Sequence, residues 1–235
     1  MTFCSPPLSA QDWSILPEWI EYHLLIGVQH IYLYTTNGSR DELARRLRKY
    51  VTLGKISLQS WMSQPWTTVS HTLHTLSARN DCLYRNRDGS KWLSFVDVNE
   101  YLYPEQSENL QMLLESYLNK TKTKVLKLKR FYFARPKTER QKSRLLIESY
   151  RRDHLGNYNG REKYVVQPQN VSSISMQHGD LNVLTNADHV TVNRTILRVN
   201  HYKTGFSQGK ELDAGMKRFI PRVKAYLCRR LGQCL

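Results

Sequence analysis

A short run of acidic and amide side chains near the middle of the chain is the feature that most suggests chemistry. Asp97 lies at the end of the strand-like run KWLSFVDV (91–98), and Asn99 and Glu100 follow directly after it. Carboxylates at the end of a buried strand are unfavourable unless they are paired or hold a cation. Alternation along a strand places Asp97 and Asn99 on one face, where both can reach one divalent cation, and Glu100 on the other. The run predicts an ion or ligand site, and the alternative is an acidic turn that only caps the next segment.

Basic residues are concentrated in the middle of the sequence. The 235 residues include 35 Lys and Arg against 20 Asp and Glu, a formal net charge of +15, and residues 120–164 alone carry 15 basic and 4 acidic side chains. Such a block indicates an anionic partner, which could be nucleic acid, a phospholipid surface or a phosphorylated small molecule, and a solvated basic face is the alternative. No recognised nucleic-acid motif and no interleaved aromatic platform accompany it, so nucleic acid is not expected as the partner.

Length and composition limit the classes of protein to which the chain can belong. The chain is long enough for one large domain or two small ones, and 40% apolar with 23% charged residues is typical of neither a disordered tail nor a membrane bundle. No apolar run approaches the roughly 20 residues that span a bilayer, and no secretory signal is visible, although a catalytic domain cut from a longer, anchored chain stays compatible with both.

The four cysteines and four N-x-S/T sequons bear on the compartment. Cys4, Cys82, Cys228 and Cys234 lack CxxC spacing, so a structural zinc is not expected, and they are either disulfides or buried thiols. Sequons at Asn37, Asn119, Asn170 and Asn193 favour the secretory lumen mildly.

The elements that must position the acidic run alternate between strand and helix in the first half. Strands are predicted at residues 2–4 (ended by Pro6 and Pro7), 30–35, 55–61 and 91–98, and helices at 17–26, 43–54, 69–83 and 110–118. This order predicts an α/β fold, a mostly parallel sheet with helices on both faces. Such sheets bind ligands beyond the carboxyl ends of their strands, where Asp97 would lie.

The second half has a different pattern. The runs VLKLKRFYF, SRLLIESY, EKYVVQP and NVSSISMQ are strand-like and separated by polar turns, which favours a more antiparallel arrangement. Apolar residues at helical spacing from Leu212 to Tyr226 predict a C-terminal helix that Pro221 kinks or breaks. The prediction from the pattern is one mixed domain over 1–235, whose character changes at about residue 120.

Three blocks of the sequence resemble glycosyltransferase family 92, in order and spacing as well as in type. They are LPEWIEYHLLIGVQHIYLY at 16–34, ARNDCLYRNRDGSKWLSFVDVNEYLYP at 78–104 and VNHYKTGF at 199–206. The resemblance implies a GT-A type nucleotide-sugar fold, related to family 2-like glycosyltransferases. In this fold residues 1–120 would be the nucleotide-sugar-binding half, and residues 121–235 the acceptor half with the C-terminal helix. It also implies transfer of a hexose, typically galactose, from a UDP-sugar such as UDP-galactose to a glycan acceptor with inversion. For a eukaryotic chain it further implies the Golgi lumen or secretory pathway, with membrane association through a segment outside this sequence.

The resemblance also assigns the acidic run to the family's DxDE(F/Y) motif, with Asp97 near the donor ribose and the metal. The position of the main Mn²⁺ ligand is Asn99, whose amide oxygen still coordinates but removes one negative charge from the site. The metal-binding residues implied in this way are Asp97, Asn99, Glu100 and His201. The donor-binding residues are Asn80, Asp81, Asp97, Lys163 and Lys203, and His178 is a weaker candidate.

Two of these assignments have simpler alternatives. Asn80 and Asp81 could contact neighbouring backbone only, and His201 could be a packed or surface histidine. The chain also departs from the family where Thr35 follows Tyr34, in place of an Asp that reads the nucleoside, and where Ala134 replaces a glycine. Inversion needs a base to deprotonate the acceptor, and Asp180 and Glu148 are the candidates.

Two other functions remain open at this point. Asn99 and Thr35 motivate a catalytically impaired pseudoenzyme of GT-A type that acts as a binding module. The basic block motivates a nucleic-acid binder, the less favoured alternative.

Overall fold

The computed structural model describes residues 1–36, 38–61, 71–121, 123–134, 145–149, 151–152, 162–177, 180–203, 211–232 and 234. The helices are α1 (Leu16–Leu25), α2 (Arg40–Arg46), α3 (Arg48–Thr52), α4 (His71–Arg85), α5 (Leu110–Thr121) and α6 (Ile220–Leu231), with 3-10 turns at Ala10–Ser14, Leu146–Glu148, Pro168–Asn170 and Gly215–Phe219. The strands are β1 (Thr2–Leu8), β2 (His30–Thr35), β3 (Ile56–Ser60), β4 (Leu93–Phe95), β5 (Glu100–Pro104), β6 (Val125–Leu128), β7 (Arg130–Ala134), β8 (Arg151–Arg152), β9 (Lys163–Val166), β10 (Ser173–Gln177), β11 (Asp180–Leu184), β12 (His189–Thr191), β13 (Leu197–Lys203) and β14 (Glu211–Leu212). Within these ranges no helix is long and apolar enough to cross a membrane.

The larger sheet has the strand order β12-β6-β9-β4-β1-β2-β3. Strand β1 pairs in parallel with β2 and β4, and β2 pairs in parallel with β3. Strand β9 runs antiparallel between β4 and β6. The carboxyl ends of β1 to β4 therefore meet at one edge, which is where the acidic run begins.

Helices cover both faces of this sheet. Neighbouring residues of β1 point to opposite sides, and each side packs against a different helix. Phe3 packs against Trp19 of α1, with ring centroids 6.1 Å apart, in the larger hydrophobic cluster. Cys4 points the other way and forms a disulfide with Cys82 of α4 in a smaller cluster. The α/β class predicted from the sequence, a mostly parallel sheet between helices, is confirmed.

The prediction that Pro6 and Pro7 end the first strand is wrong. Strand β1 continues to Leu8, and its register with β2 shifts between Cys4 and Pro7. Proline has no N–H to donate, and an irregularity is where a strand tolerates it. The hydroxyl of Ser5 supplies a local acceptor for the N–H of Tyr34, at 3.2 Å.

A second, smaller sheet has the order β14-β8-β7-β13-β5. Strand β13 is antiparallel to β5 and parallel to β7, so that His201 lies directly between Glu100 and Tyr132. Residues in register share a face of the sheet. The opposite face carries aromatic side chains such as Tyr101 and Tyr202, which belong to the larger cluster. The second half is thus partly antiparallel, as predicted, and it supplies strands to both sheets.

Four local predictions differ from the structure. Strand β4 ends at Phe95, so Asp97 and Asn99 are not alternate residues of a strand. The segment around Leu146 is a 3-10 turn rather than a strand, because the Glu18 carboxylate accepts hydrogen bonds from two successive N–H groups there. The helix expected over 43–54 is divided at Leu47 into α2 and α3. The kink or break predicted at Pro221 is not found within α6, because Pro221 lies in the first turn of that helix, where its missing N–H leaves no helical bond unmade.

Candidate functional site

The acidic run forms a tight turn at the carboxyl edge of the larger sheet. The N–H of Glu100 donates to the carbonyl of Asp97 at 2.9 Å, and the Glu100 carboxylate accepts from the N–H of Asp97 at 3.0 Å. This reciprocal pair turns both carboxylates towards the same surroundings, whereas an extended strand would separate them. The turn also joins β4 of the larger sheet to β5 of the smaller one.

Glu100 is fully buried, and three basic side chains surround it. Its carboxylate lies 2.7 Å from Lys163 Nζ, 3.2 Å from Arg130 Nη1 and 3.2 Å from His201 Nδ1. Burial alone acts to raise the pKa of Glu100, but Lys163, His201 and Arg130 together hold that pKa well below its usual range. Glu100 is therefore an anion whose role within the chain is to hold cations in place.

Asp97 is the more accessible of the two carboxylates, with 33% of its side chain exposed. Arg79 of α4 donates to Oδ1 at 2.7 Å, and Lys163 donates to Oδ2 at 3.2 Å. Both cations are almost completely buried, at 6% and 5% side-chain exposure. Lys163 thus bridges Asp97 and Glu100, and the turn and its cations form one cluster.

His201 and Lys203 extend this cluster along β13 towards solvent. They lie on one face of the strand, since they are two residues apart. The ring of Tyr132 contacts both: its centroid is 5.1 Å from that of His201 and 5.9 Å from Lys203 Nζ. Lys203 is exposed, whereas the side chain of His201 is 14% exposed. The cluster therefore presents basic groups at its open side.

Asn99 lies in the turn but takes no part in these ion pairs. Its carbonyl accepts a hydrogen bond from the N–H of Tyr202 at 2.8 Å, which fixes the turn against β13. Its side chain is half-buried and makes no hydrogen bond within the part of the chain that the structure describes.

The residues present do not fit a divalent cation well. Both oxygens of Asp97 face cationic side chains of the chain itself, and Glu100 is surrounded by three more contacts. A divalent cation about 4 Å from one unit charge interacts with it by about 8 kcal/mol at an effective dielectric constant of about 20. Each basic group thus repels the divalent cation about as strongly as one carboxylate attracts it. The three basic groups Arg79, Arg130 and Lys163 outnumber the two carboxylates of Asp97 and Glu100, so the site as a whole does not attract the cation.

Two further predicted residues, on α4, are tied to their neighbours. Asn80 donates to the carbonyl of Ile174 and accepts from its N–H, both at 2.8 Å, which joins α4 to β10. Asp81 accepts from the hydroxyl of Tyr34 at 2.6 Å and from Arg85 at 2.7 Å. Burial and the Asp81 carboxylate raise the pKa of Tyr34. Contact with donor stays a prediction for both residues.

The predicted catalytic bases are less closely connected to the cluster. Glu148 accepts from the N–H of Leu145 at 2.8 Å and pairs with Lys224 of α6 at 3.0 Å, and none of the described residues around Asp97 is among its contacts. Asp180 is the first residue of β11, but its side chain lies outside the described part, as does His178.

Sequence reasoning missed Arg79 and Arg130, although both lie in segments singled out there. Arg79 directly precedes Asn80 in the second resemblance block, and Arg130 begins the FYF strand. The available signal was that a buried carboxylate turn requires counter-charges. The spacing along the chain could not indicate which of many basic residues provide them.

The fold and the cluster define an α/β protein whose acidic turn and basic groups meet at the carboxyl edge of its sheet. The family model described as "Glycosyltransferase family 92" matches residues 1–225 of the chain. The chain belongs to glycosyltransferase family 92, as the resemblance indicated.

Several relatives carry more specific names. A galactan beta-1,4-galactosyltransferase of Arabidopsis thaliana is 27% identical over 201 residues, which are 83% of this chain and 39% of the relative. A beta-1,4-galactosyltransferase of Caenorhabditis elegans is 26% identical over 212 residues, 86% of this chain and 48% of the relative. The chain thus spans less than half of the length of these relatives. Among solved structures, TarS 1-349 of S. aureus is similar, with a TM-score of 0.48 and 10% identity over 86% of this chain and 60% of that one.

Proposed function

We propose that the chain transfers a hexose, galactose, from a UDP-sugar donor to a glycan acceptor with inversion at the anomeric carbon. Membership of glycosyltransferase family 92 supports group transfer, and the names of the plant and nematode relatives support galactose. These names also support a β-1,4-linked galactan as the acceptor to test first.

The single observation that carries this proposal is the cluster of Asp97 and Glu100 with Lys163, Arg130 and His201. A sugar nucleotide reacts by losing a diphosphate, and prearranged positive groups stabilise the negative charge that develops on it. The cluster offers such groups at the carboxyl edge of a parallel sheet, the usual ligand-binding edge of these folds. Asp97, still one-third exposed, provides an acceptor for donor hydroxyl groups.

The chemistry within the chain divides into holding the donor and activating the acceptor. In-line attack requires that a base remove the proton of the acceptor hydroxyl as the bond to the anomeric carbon forms. Glu148 and Asp180 are the proposed bases, and the contact of Glu148 with Lys224 would have to open or reorient for that role. The Mn²⁺ predicted from the resemblance has no part in these steps, because the donor set around Asp97 does not suit it.

The proposed compartment is the secretory lumen, for a eukaryotic source the Golgi. All four cysteines form two disulfides, Cys4–Cys82 and Cys228–Cys234, and such bonds persist in oxidising compartments. The exposed sequon at Asn193 is consistent with this environment.

The test is release of UDP from a panel of UDP-sugars, with and without galactan oligosaccharide. We expect acceptor-dependent release from UDP-galactose and a product of inverted anomeric configuration by NMR. Asp97→Asn should lower the rate by at least about 100-fold, because it removes a charge at the reacting centre. Lys55→Ala is the control: Lys55 is exposed and precedes β3, at the opposite edge of the sheet.

The outcomes separate the alternatives. If UDP binds but no UDP-sugar is consumed with any acceptor, the chain is the binding module that Asn99 suggested. If neither UDP nor a UDP-sugar binds, the proposal that the chain uses a UDP-sugar donor is wrong.

A further inference from the structure

We propose that this site neutralises the donor diphosphate with the chain's own basic groups, so that UDP binds without a divalent cation. Lys163 is the central group, and His201 and Lys203 are the groups at the open side. This inference rests on the proposed function and specifies how the same site recognises its donor.

The first support is the charge of the cluster before any ligand arrives. Asp97 and Glu100 contribute two negative charges, and the three basic side chains paired with them exceed these by one. These basic side chains are Arg79, Arg130 and Lys163. Lys203 adds a further positive charge beside the same tyrosine ring that His201 contacts. A net positive site is suited to an anion, whereas a metal-binding site requires an excess of carboxylates.

The second support is the state of the Lys163 ammonium. It carries three N–H donors. Asp97 and Glu100 contact it at 3.2 Å and 2.7 Å, and within the described residues there is no third acceptor. A buried ammonium with one unused donor is a suitable partner for a phosphate oxygen. The two carboxylates fix its position, so binding a phosphate would need little rearrangement.

The third support is the identity of residue 99. A carboxylate here would cancel the positive excess of the cluster and would repel a diphosphate in the absence of metal. The neutral side chain of Asn99 avoids that repulsion, and no basic residue of the described chain is paired with it. The departure from the DxD pattern is therefore favourable at a metal-free diphosphate site and unfavourable at a Mn²⁺ site.

The experiment measures UDP affinity by calorimetry, once in EDTA and once with excess Mn²⁺. The expected result is binding in EDTA, with a dissociation constant within about twofold of that in Mn²⁺. Binding only in Mn²⁺ would overturn the inference and leave the proposed function standing. Absence of binding in both conditions would contradict the proposed function itself, because a UDP-sugar could then not be the donor. The two failures are therefore distinguishable.

A substitution of Lys203, at the open side of the cluster, tests which groups bind the phosphates. Lys203→Ala should raise the dissociation constant of UDP in EDTA by about fivefold to tenfold, because one charge-assisted contact is lost. Its own thermal unfolding should be unchanged, since Lys203 is exposed. Lys55→Ala, a matched loss of one exposed lysine at the opposite edge, should leave UDP affinity unchanged. Equal effects of the two substitutions would contradict the assignment.

Restoring the acidic residue gives the sharpest contrast. Asn99→Asp should weaken UDP binding in EDTA by about tenfold, and added Mn²⁺ should recover most of the loss. If Asn99→Asp leaves metal-free binding unchanged or strengthens it, residue 99 has no part in the charge balance and the inference fails. The midpoint of unfolding without ligand, measured for the wild type and for Asn99→Asp, checks that both proteins are folded.

Discussion

At the scale of single residues, the least usual environments outside the cluster lie on α1. Glu18 is buried, and its carboxylate accepts from the N–H groups of Leu146 at 2.8 Å and Ile147 at 3.1 Å. Burial outweighs these bonds and raises the pKa of Glu18 to about 7. His23 on the same helix is buried as well, and burial lowers its pKa to about 3. Both groups are therefore held in their neutral forms over part of the ordinary pH range.

The Glu18 carboxyl should make the folded chain lose stability as the pH rises from about 4.5 to about 7. In that range the native state binds a proton that the unfolded state has released, so stability falls with pH and becomes constant above pH 7. The raised pKa corresponds to about 3 kcal/mol in total. The measurement is the urea-unfolding free energy of the wild type minus that of Glu18→Gln, at several pH values.

Taking the difference between the two proteins is necessary because His23 acts in the opposite direction. Its lowered pKa means that the unfolded state binds the extra proton below about pH 6.5, so its contribution to stability rises with pH between about 3 and 6.5. That contribution is common to wild type and variant and cancels. A difference that does not change across pH 4.5 to 7 would show that Glu18 is ionised in the folded chain.

The sequence predicted several residues of the cluster but not their arrangement. Asp97, Glu100, Lys163 and His201 were singled out, and the structure brings all of them together. Their roles towards a donor stay predictions. The prediction that Asp97 and Glu100 lie on opposite faces of a strand is wrong, because the strand ends before them and a hydrogen-bonded turn begins at Asp97.

At the scale of elements, the disulfide Cys4–Cys82 fixes the helix that carries Arg79. It joins β1 to α4 across a sequence separation of 78, whereas Cys228–Cys234 closes a separation of 6. In the chain-entropy account, a longer closed loop restricts the unfolded chain more. Replacing Cys4 and Cys82 by serine should therefore lower the free energy of unfolding by roughly 4 kcal/mol, against roughly 2 kcal/mol for Cys228 and Cys234.

Urea unfolding of the two double variants is the measurement, and each serves as the control for the other. The Cys4/Cys82 variant should also lose UDP affinity, because α4 is released from the sheet beside the acidic turn. Equal destabilisation by both variants, or a larger effect of the C-terminal pair, would show that the disulfide near the site is not an effective constraint.

Elements with strong local signals were predicted well, and those defined by distant contacts were not. The β-branched and aromatic run at 30–35 is β2 as predicted. By contrast, β5 was not anticipated, because its residues follow the acidic turn without a separating pattern, and its pairing partner β13 lies about a hundred residues later. The 145–149 segment reads as a strand, and only the distant Glu18 carboxylate shows why it is a 3-10 turn.

At the scale of the whole molecule, the cluster lies where the chain passes from one sheet to the other. The acidic turn connects β4 of the larger sheet to β5 of the smaller one. Lys129 alone separates β6 of the larger sheet from β7 of the smaller, and Arg130 is the first residue after this crossing. Lys163 begins β9, paired with Leu128 at the end of β6. The site therefore depends on both sheets, and substitutions that move one against the other should affect it.

The excess positive charge of the molecule should make UDP binding depend on salt in a way that uridine binding does not. The chain carries a formal charge of +15, and the open side of the cluster holds the exposed Lys203. Raising the salt concentration from about 0.05 M to about 0.5 M shortens the screening length from over 10 Å to under 5 Å. In EDTA, the dissociation constant of UDP should therefore rise by about threefold to tenfold.

Uridine provides the internal control, because it shares the nucleoside and lacks the phosphates. Its weaker binding should change little over the same salt range, and Lys203→Ala should flatten the salt dependence of UDP while Lys55→Ala leaves it unaltered. Parallel salt dependences for UDP and uridine would mean that the basic groups do not contact the diphosphate. In that case the positive charge around Asp97 serves only to hold the carboxylates of Asp97 and Glu100 between the sheets.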